Sequence, residues 1–392
     1  MQNLKYKYRL YPTHDQEQLL LQACGSQRYI WNHFLASEQA EYRLTKKFKF
    51  YNQNSRDLTA LKKTTNWLQD VPAVSLQQTI RNLDRALKQS FKKPNKNVKG
   101  FPKFKKKRNH NGSFVLTMVS LDRNTTKNAF YISRSIGDVK CIYHREIPSD
   151  FKSATIKQEA GKWFVVLTCK KANQVRRKIV THTGVDLNSK AYVTTDNCFD
   201  IPKPLRESQA KIKKLQRKLS RCKKGSKNRL ELQLKLQRAH QHISNRRVDY
   251  FHKLSRTLID SYDMITIEDL DVKGIQQKFG RAIQDNGFGM FRQMLTYKAE
   301  LYGSTLVVAN RYFPSSQMCS ACGGLTRHPL SERIFTCKFC NYTIDRDLNA
   351  AINLDSLGLE QTEVMPMDVT ISDVATCVAV LSDCTNEVGI IL

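Results

Sequence analysis

The sequence predicts a mixed α/β fold divided over at least two domains, on three observations. Near the N-terminus a period-two strand leads into helical stretches and then short strands, the pattern of a small β-barrel or sheet carrying helices. Past residue 178 the register changes to apolar strands that end in acids and alternate with long helices. The chain has 392 residues, enough for two or three separately packed cores.

Leu4, Tyr6, Tyr8 and Leu10 alternate with Lys5, Lys7 and Arg9, which makes a first strand with one basic face. Thr13 and Gln16 form a capping box ahead of "EQLLLQACGSQRYIWNHFL", so a helix follows. A second helix begins near Leu76 with "LQQTIRNLDRALKQSF", and together these define a helical insertion over about 13–95. Behind it, "KKPNKNVKGFPKFKKKRNHNG" interleaves Lys99, Lys103 and Lys105 with Phe101 and Phe104, a composition suited to phosphate contact and base stacking. Strands are expected in "FVLTM", "NAFYIS" and "KWFVVLTCK", which completes a first domain of residues 1–178.

The second domain, 179–355, opens on the strand "KIVTHTGVDLNSKAYVTTDN". Residues 205–260 read as a basic antiparallel helical hairpin turning at "RCKKGSKN", with Leu215, Leu219, Leu232, Leu236 and Ile243 as its seam. "YDMITIEDL" and "GSTLVVANRYFPSSQ" read as further strands. From Leu348 onward the last 45 residues contain no Lys or Arg and seven acids, so 356–392 is expected to be an acidic tail.

Lys and Arg total 65 against 35 Asp and Glu, a formal net charge of +30, which points to a polyanion, nucleic acid foremost, as partner. Apolar runs fall short of the roughly 20 residues that span a bilayer, and "MQNLKYKYRLYPTHDQ" lacks a signal peptide's apolar core, so a cytoplasmic protein without membrane contact is expected. Eleven cysteines in such a chain argue against a disulfide scaffold. Four of them, Cys319, Cys322, Cys337 and Cys340, form two CxxC knuckles 14 residues apart, the spacing of a closed, structural Zn²⁺ ribbon over about 316–343. His328 between the knuckles reads as a surface residue.

Asp186, Glu268 and Asp345 or Asp347 stand at strand ends or a helix start, where distant residues meet in one crevice. Three carboxylates can hold a pair of Mg²⁺ ions about 4 Å apart, able to activate water against a phosphodiester. Each also has an ordinary use: Asp186 in a turn, Glu268 as a cap, Asp347 as a helix N-cap.

The ordered set "GVDLN", "TIEDL", "NRYFPSSQMCSACG" and "CKFCNYTIDRDLNAAINL", with "YKYRLYPTHDQEQLL" and "KGFPKFKKK", resembles the TnpB (OrfB) family of insertion-sequence proteins over about residues 1–355. The resemblance implies an RNase H-like, RuvC-type nuclease domain with a helical insertion and an inserted zinc ribbon. A wedge β-barrel with a helical recognition insertion would precede it. It also implies a prokaryotic, transposon-associated endonuclease that carries a guide RNA from the transposon end and cuts a double-stranded DNA target beside a short motif. Asp186, Glu268 and Asp347 match the catalytic triad, with Asp345 as the competing last acid, and magnesium, two ions, is the expected catalytic cofactor. Asn188 departs from the glycine common after "VDL" and is expected to crowd the metal site. Gln77 and Gln78 are candidates for reading the motif, since amides recognise adenine edges. The competing readings are a transposase that transfers strands directly and an RNA-guided regulator that binds without cutting.

Overall fold

In the computed structural model the described residues are 1–90, 101–107, 111–117, 119–188, 190–271, 274, 286–329 and 332–362. They fall into two compact units: Asn3–Lys171 with Lys223–Gln237, and Met1–Gln2 with Ala172–Cys222 and the chain from Arg238 onward.

The first unit is built on seven strands: β1 (Gln2–Tyr11), β2 (Gly112–Thr117), β3 (Thr125–Thr126), β4 (Ala129–Tyr131), β5 (Asp138–Ile142), β6 (Ser153–Glu159) and β7 (Lys162–Lys171). Their order is β2-β6-β7-β1-β5-β4-β3, an open half-barrel with β2 and β3 at its edges. Period-two side chains make its inner face: Tyr8 and Leu10 of β1, Ala154 and Ile156 of β6, and Trp163, Val165 and Leu167 of β7 are buried. Lys7 and Arg9 point the other way and lie over the Phe164 ring, Lys7 at 4.1 Å and Arg9 at 5.1 Å.

Helices α1 (His14–Thr45), α2 (Phe50–Thr64) and α3 (Ala73–Ser90) lie between β1 and β2 in the chain, and a short turn, α4 (Leu121–Asn124), follows β2. The expected capping box starts α1, with the Thr13 hydroxyl accepting from the Gln16 amide and the Gln16 side chain accepting from the Thr13 amide. Leu76, Ile80, Leu83 and Leu87 are the buried stripe of α3, which starts three residues before Leu76, directly after Pro72. Helix α2 escaped the sequence reading because its start is made by a distant residue. The buried Glu38 carboxylate of α1 accepts from the amides of Lys49 at 2.9 Å and Phe50 at 3.0 Å, and also from the Asn54 side chain.

Among the described residues, the main sheet of the second unit has five strands: β8 (His182–Leu187), β9 (Ala191–Val193), β10 (Cys198–Asp200), β11 (Met264–Glu268) and β12 (Thr305–Ala309). They are ordered β10-β9-β8-β11-β12, with β8, β11 and β12 parallel and β9 and β10 antiparallel. This is the RNase H-like arrangement. Helices α5 (Pro204–Arg221), α7 (Phe288–Tyr302) and α8 (Arg346–Gln361) accompany it, with the part of α6 (Lys227–Ser261) from Arg238 onward. Val185, Ile265 and Ile267 of the sheet pack with Phe251 and Leu258 of α6 and Phe291 and Leu295 of α7. Of the five residues expected to form the hairpin seam, only Ile243 is buried, and the four leucines are half-buried. So basic a stretch keeps its apolar residues at a partly solvated edge.

Ser356–Gln361, read as the start of the acidic tail, continue α8. Burial explains the difference: Gly358 lies so close to β11 that a Cβ there would fall 2.0 Å from Thr266 Oγ1, and Leu359 is buried as well. The rest of the tail, from 363, lies outside the described residues.

Candidate active site and metal centre

Asp186 is the penultimate residue of β8, and Glu268 is the last of β11. The parallel register pairs Val185 with Ile267, so the next step along the ladder sets Asp186 beside Glu268, side chains to the same face. The third acid arrives on α8, which lies tightly against β8. A Cβ on Gly184 would sit 2.0 Å from the Ala351 carbonyl oxygen, so only glycine allows this approach. One turn further along, His182 Nδ1 and Asp355 meet at 2.8 Å and fasten strand to helix.

Asp345 and Asp347 take different tasks. Asp345 is the N-cap of α8: its Oδ1 accepts from the amides of Asp347 at 2.9 Å and Leu348 at 3.0 Å. The cap expected of Asp347 is therefore made by Asp345. Asp347, in the first turn, is the acid whose charge weighs more on Asp186. Burial, then Glu268, then Asp347 push the Asp186 carboxyl well above the usual carboxylate range. Burial likewise raises Glu268, against a hydrogen bond donated by the Ser315 hydroxyl. Burial and then Asp345 raise Asp347, against Arg333, Arg346 and Asn188. Acids this crowded have an unmet need for positive charge, and their hard oxygens suit magnesium. Asn188 donates its amide to Asp347 Oδ2. Sequence reasoning missed Ser315, and nothing in "PSSQ" distinguishes it before the fold brings it to Glu268.

The four cysteine sulfurs come within 4.8 Å of one another. Cys319 and Cys340 are 3.7 Å apart and Cys322 and Cys337 3.6 Å, against about 3.8 Å for the edge of a tetrahedron with Zn–S bonds of ~2.3 Å. The thiols cannot share so small a space unchanged. Against burial, the amides of Cys340 and Phe339 bring Cys337 down to about 6. Despite the Gly324 amide, neighbouring thiols push Cys322 up to about 12. The donor set fits a soft-ligand divalent cation such as zinc. His328 is more than a surface residue: it joins Glu332 and the Thr336 carbonyl and packs edge-on against Phe335.

The ribbon runs straight into the acid-bearing helix. Its strands β13 (Ile334–Thr336) and β14 (Thr343–Asp345) pair so that Ile334 faces Asp345, the residue before α8. Buried Asn349 and Asn353 donate to the Met318 carbonyl, each at 2.7 Å, and Asn349 accepts from the Ser320 amide. Cys319, Cys337, Phe335 and Ile344 share a small core with Leu348.

In the first unit, Lys99 lies outside the described residues. Phe101 and Phe104 are 40% and 51% exposed, as a stacking role requires. The segment is laid along α1: Trp31 Nε1 donates to the Lys103 carbonyl at 3.1 Å, and Asn32 accepts from the Lys105 amide at 2.7 Å. Lys105 Nζ sits 3.8 Å from the Trp31 ring centre, a cation–π contact within the chain, while the residue as a whole stays exposed. Gln77 is exposed at a cavity of about 370 Å³ that Lys62 and Lys63 also line, while Gln78 donates to Asn82 on its own helix.

Three family profiles match the chain: "Helix-turn-helix domain" over residues 1–47, "Probable transposase" over 167–278 and "Cas12f1-like, TNB domain" over 288–354. A Streptomyces pristinaespiralis protein named "Putative RNA-guided DNA endonuclease" is 34% identical over 92% of this chain and 90% of its own. The chain belongs to the TnpB (OrfB) family. A second member, "Putative RNA-guided DNA endonuclease InsQ" of Escherichia coli (strain K12), is 30% identical over 90% of this chain and 92% of its own. A structure titled "Cryo-EM structure of the Cas12f1-sgRNA-target DNA complex" superposes with a TM-score of 0.48 at 11% identity, covering 90% of this chain and 98% of that one. The helix-turn-helix description does not fit this TnpB-family chain, whose residues 1–47 form strand β1 and a single 32-residue helix. Among the described residues, no helix is long and apolar enough to cross a membrane.

Proposed function

We propose that this chain is an RNA-guided DNA endonuclease that binds a guide RNA from the transposon end and recognises a short motif beside its double-stranded target. The observation that carries this reading is the convergence of Asp186, Glu268 and Asp347 from β8, β11 and α8, in a family whose full-length relatives carry that name. Magnesium, when bound, supplies Lewis-acid activation of water and positive charge for the leaving oxygen of the phosphodiester. Asp186, Glu268 and Asp347 would hold the ions, with Ser315 orienting Glu268 and Asn188 orienting Asp347. Zinc on Cys319, Cys322, Cys337 and Cys340 leaves no open position for chemistry, so its part is to fix the ribbon that leads into α8. We divide the chain into a wedge and recognition part, 1–178, and a nuclease part, 179–355. The basic surface of the whole meets the phosphates, while base pairing with the guide supplies sequence specificity. Phe101, Lys103, Phe104, Lys105 and Gln77 are the exposed candidates for touching nucleic acid.

The test is to purify the protein from cells that also express its flanking transposon-end DNA, sequence the bound RNA and assay plasmid cutting with Mg²⁺ beside Asp186→Ala. A defined RNA with cutting abolished by the substitution is the expected result. Bound RNA without cutting would mean a regulator, and cutting or strand transfer with no RNA would mean a direct transposase.

A further inference from the structure

Asp347 is held by cations and amides of its own chain. Arg333, the residue before β13, places Nη1 3.2 Å from Asp347 Oδ2, the same oxygen that accepts from Asn188. Arg346 Nη2 lies 3.8 Å from the other oxygen, Oδ1. Arg346 is fixed beside Asp347 in the chain, whereas Arg333 comes from across the ribbon hairpin. There its carbonyl accepts from the Arg346 amide at 2.8 Å. Its side chain is 43% exposed and that of Asp347 18%, so the guanidinium covers the carboxylate from the solvent side and has room to leave.

We infer that Arg333 is a positioning residue that stands in for a divalent cation on Asp347 and must give way when an ion enters. The inference rests on the proposed role of Asp347 as an ion ligand. A carboxylate oxygen engaged by a guanidinium and an amide offers an incoming cation little free lone-pair density, so ion and guanidinium compete for it. While the guanidinium is in place it offsets the charge of three crowded acids and keeps the first turn of α8 aimed at Asp186. Because Arg333 belongs to the ribbon, the seating of the ribbon sets how readily the ion is admitted. Exposed ion pairs of this kind contribute up to about 1 kcal/mol, so the competition should amount to about a fivefold change in ion affinity.

The test measures Mn²⁺ binding to the full chain, zinc-loaded and free of nucleic acid, from the electron paramagnetic resonance signal of free Mn²⁺. Arg333→Ala should bind Mn²⁺ about fivefold more tightly than the unaltered protein, a change that mere loosening of the ribbon would not produce. Arg333→Lys, which keeps the charge, should stay within about twofold of the unaltered protein. If alanine releases the ribbon zinc, Arg333→Gln takes its place with the same expectation. Unchanged or weaker Mn²⁺ binding in the zinc-loaded variant overturns the inference while leaving the nuclease reading intact. Equal Mn²⁺ binding by Asp186→Ala and the unaltered protein would instead overturn the carboxylate site itself, and this inference with it.

Discussion

Two aspartates two residues apart, Asp345 and Asp347, were indistinguishable in "TIDRDLN", because both precede the helix and both could cap it. Only the backbone of α8 separates them, since the cap is the acid whose oxygen reaches the amides of its second and third residues. The two substitutions should therefore differ in kind. Asp345→Ala should cost about 1 kcal/mol of stability, the ordinary value of a lost cap, and leave measurable cutting. Asp347→Asn should leave the melting temperature near or above that of the unaltered protein, since it removes one of three crowded charges, and reduce cutting at least a hundredfold. Thermal melts beside plasmid cleavage rates decide this, and the reverse pattern would favour the competing assignment, Asp345, as the third acid. Asn188 is a similar case: in sequence it is only a departure from a common glycine, and the fold adds that its amide donates to Asp347.

At the scale of elements, strands that end in acids, the capping box and the cysteine knuckles were legible because each is a local pattern. The pressing of α8 onto β8 was not, because it depends on Gly184 meeting a helix more than 160 residues away. Gly184→Ala should destabilise the second unit by about 2–3 kcal/mol, the cost of overpacking, and reduce cutting by displacing Asp347; a melt unchanged within error would contradict this. The strap from His182 to Asp355 adds a pH dependence. The hydrogen bond with Asp355, against burial, raises the folded-state pKa of His182 above its ordinary value of about 6.5. Its contribution is thus fully present below that value and fades as pH climbs through the raised one. Melting temperature should fall over that interval in the unaltered protein and less so in Asp355→Asn. Cys337→Ser should lower bound zinc and cutting together, because β13, β14 and Leu348 carry the ribbon's order into α8; full cutting without zinc would refute that link.

For the whole molecule, the charge was the most readable property and says the most about affinity. Removing residues 363–392 deletes Glu363, Asp368, Asp373, Asp383 and Glu387 and no Lys or Arg, so the net charge moves from +30 to +35. Acids in that stretch of sequence would compete with phosphate for a basic surface, at a range set by a Debye length of about 10 Å in 0.1 M salt. Helix α8 ends at Gln361, so the deletion leaves every described element of the nuclease sheet and its helices in place. Non-specific duplex DNA should then bind the shortened chain several-fold more tightly at 50 mM salt, with the difference shrinking towards 300 mM as screening removes the competition. Guided cutting at one target should change little, whereas release from non-target plasmid should slow. Filter binding across that salt series tests the point, because coincident curves for the two chains would mean that five acids on a +30 protein do not reach the surface that holds DNA.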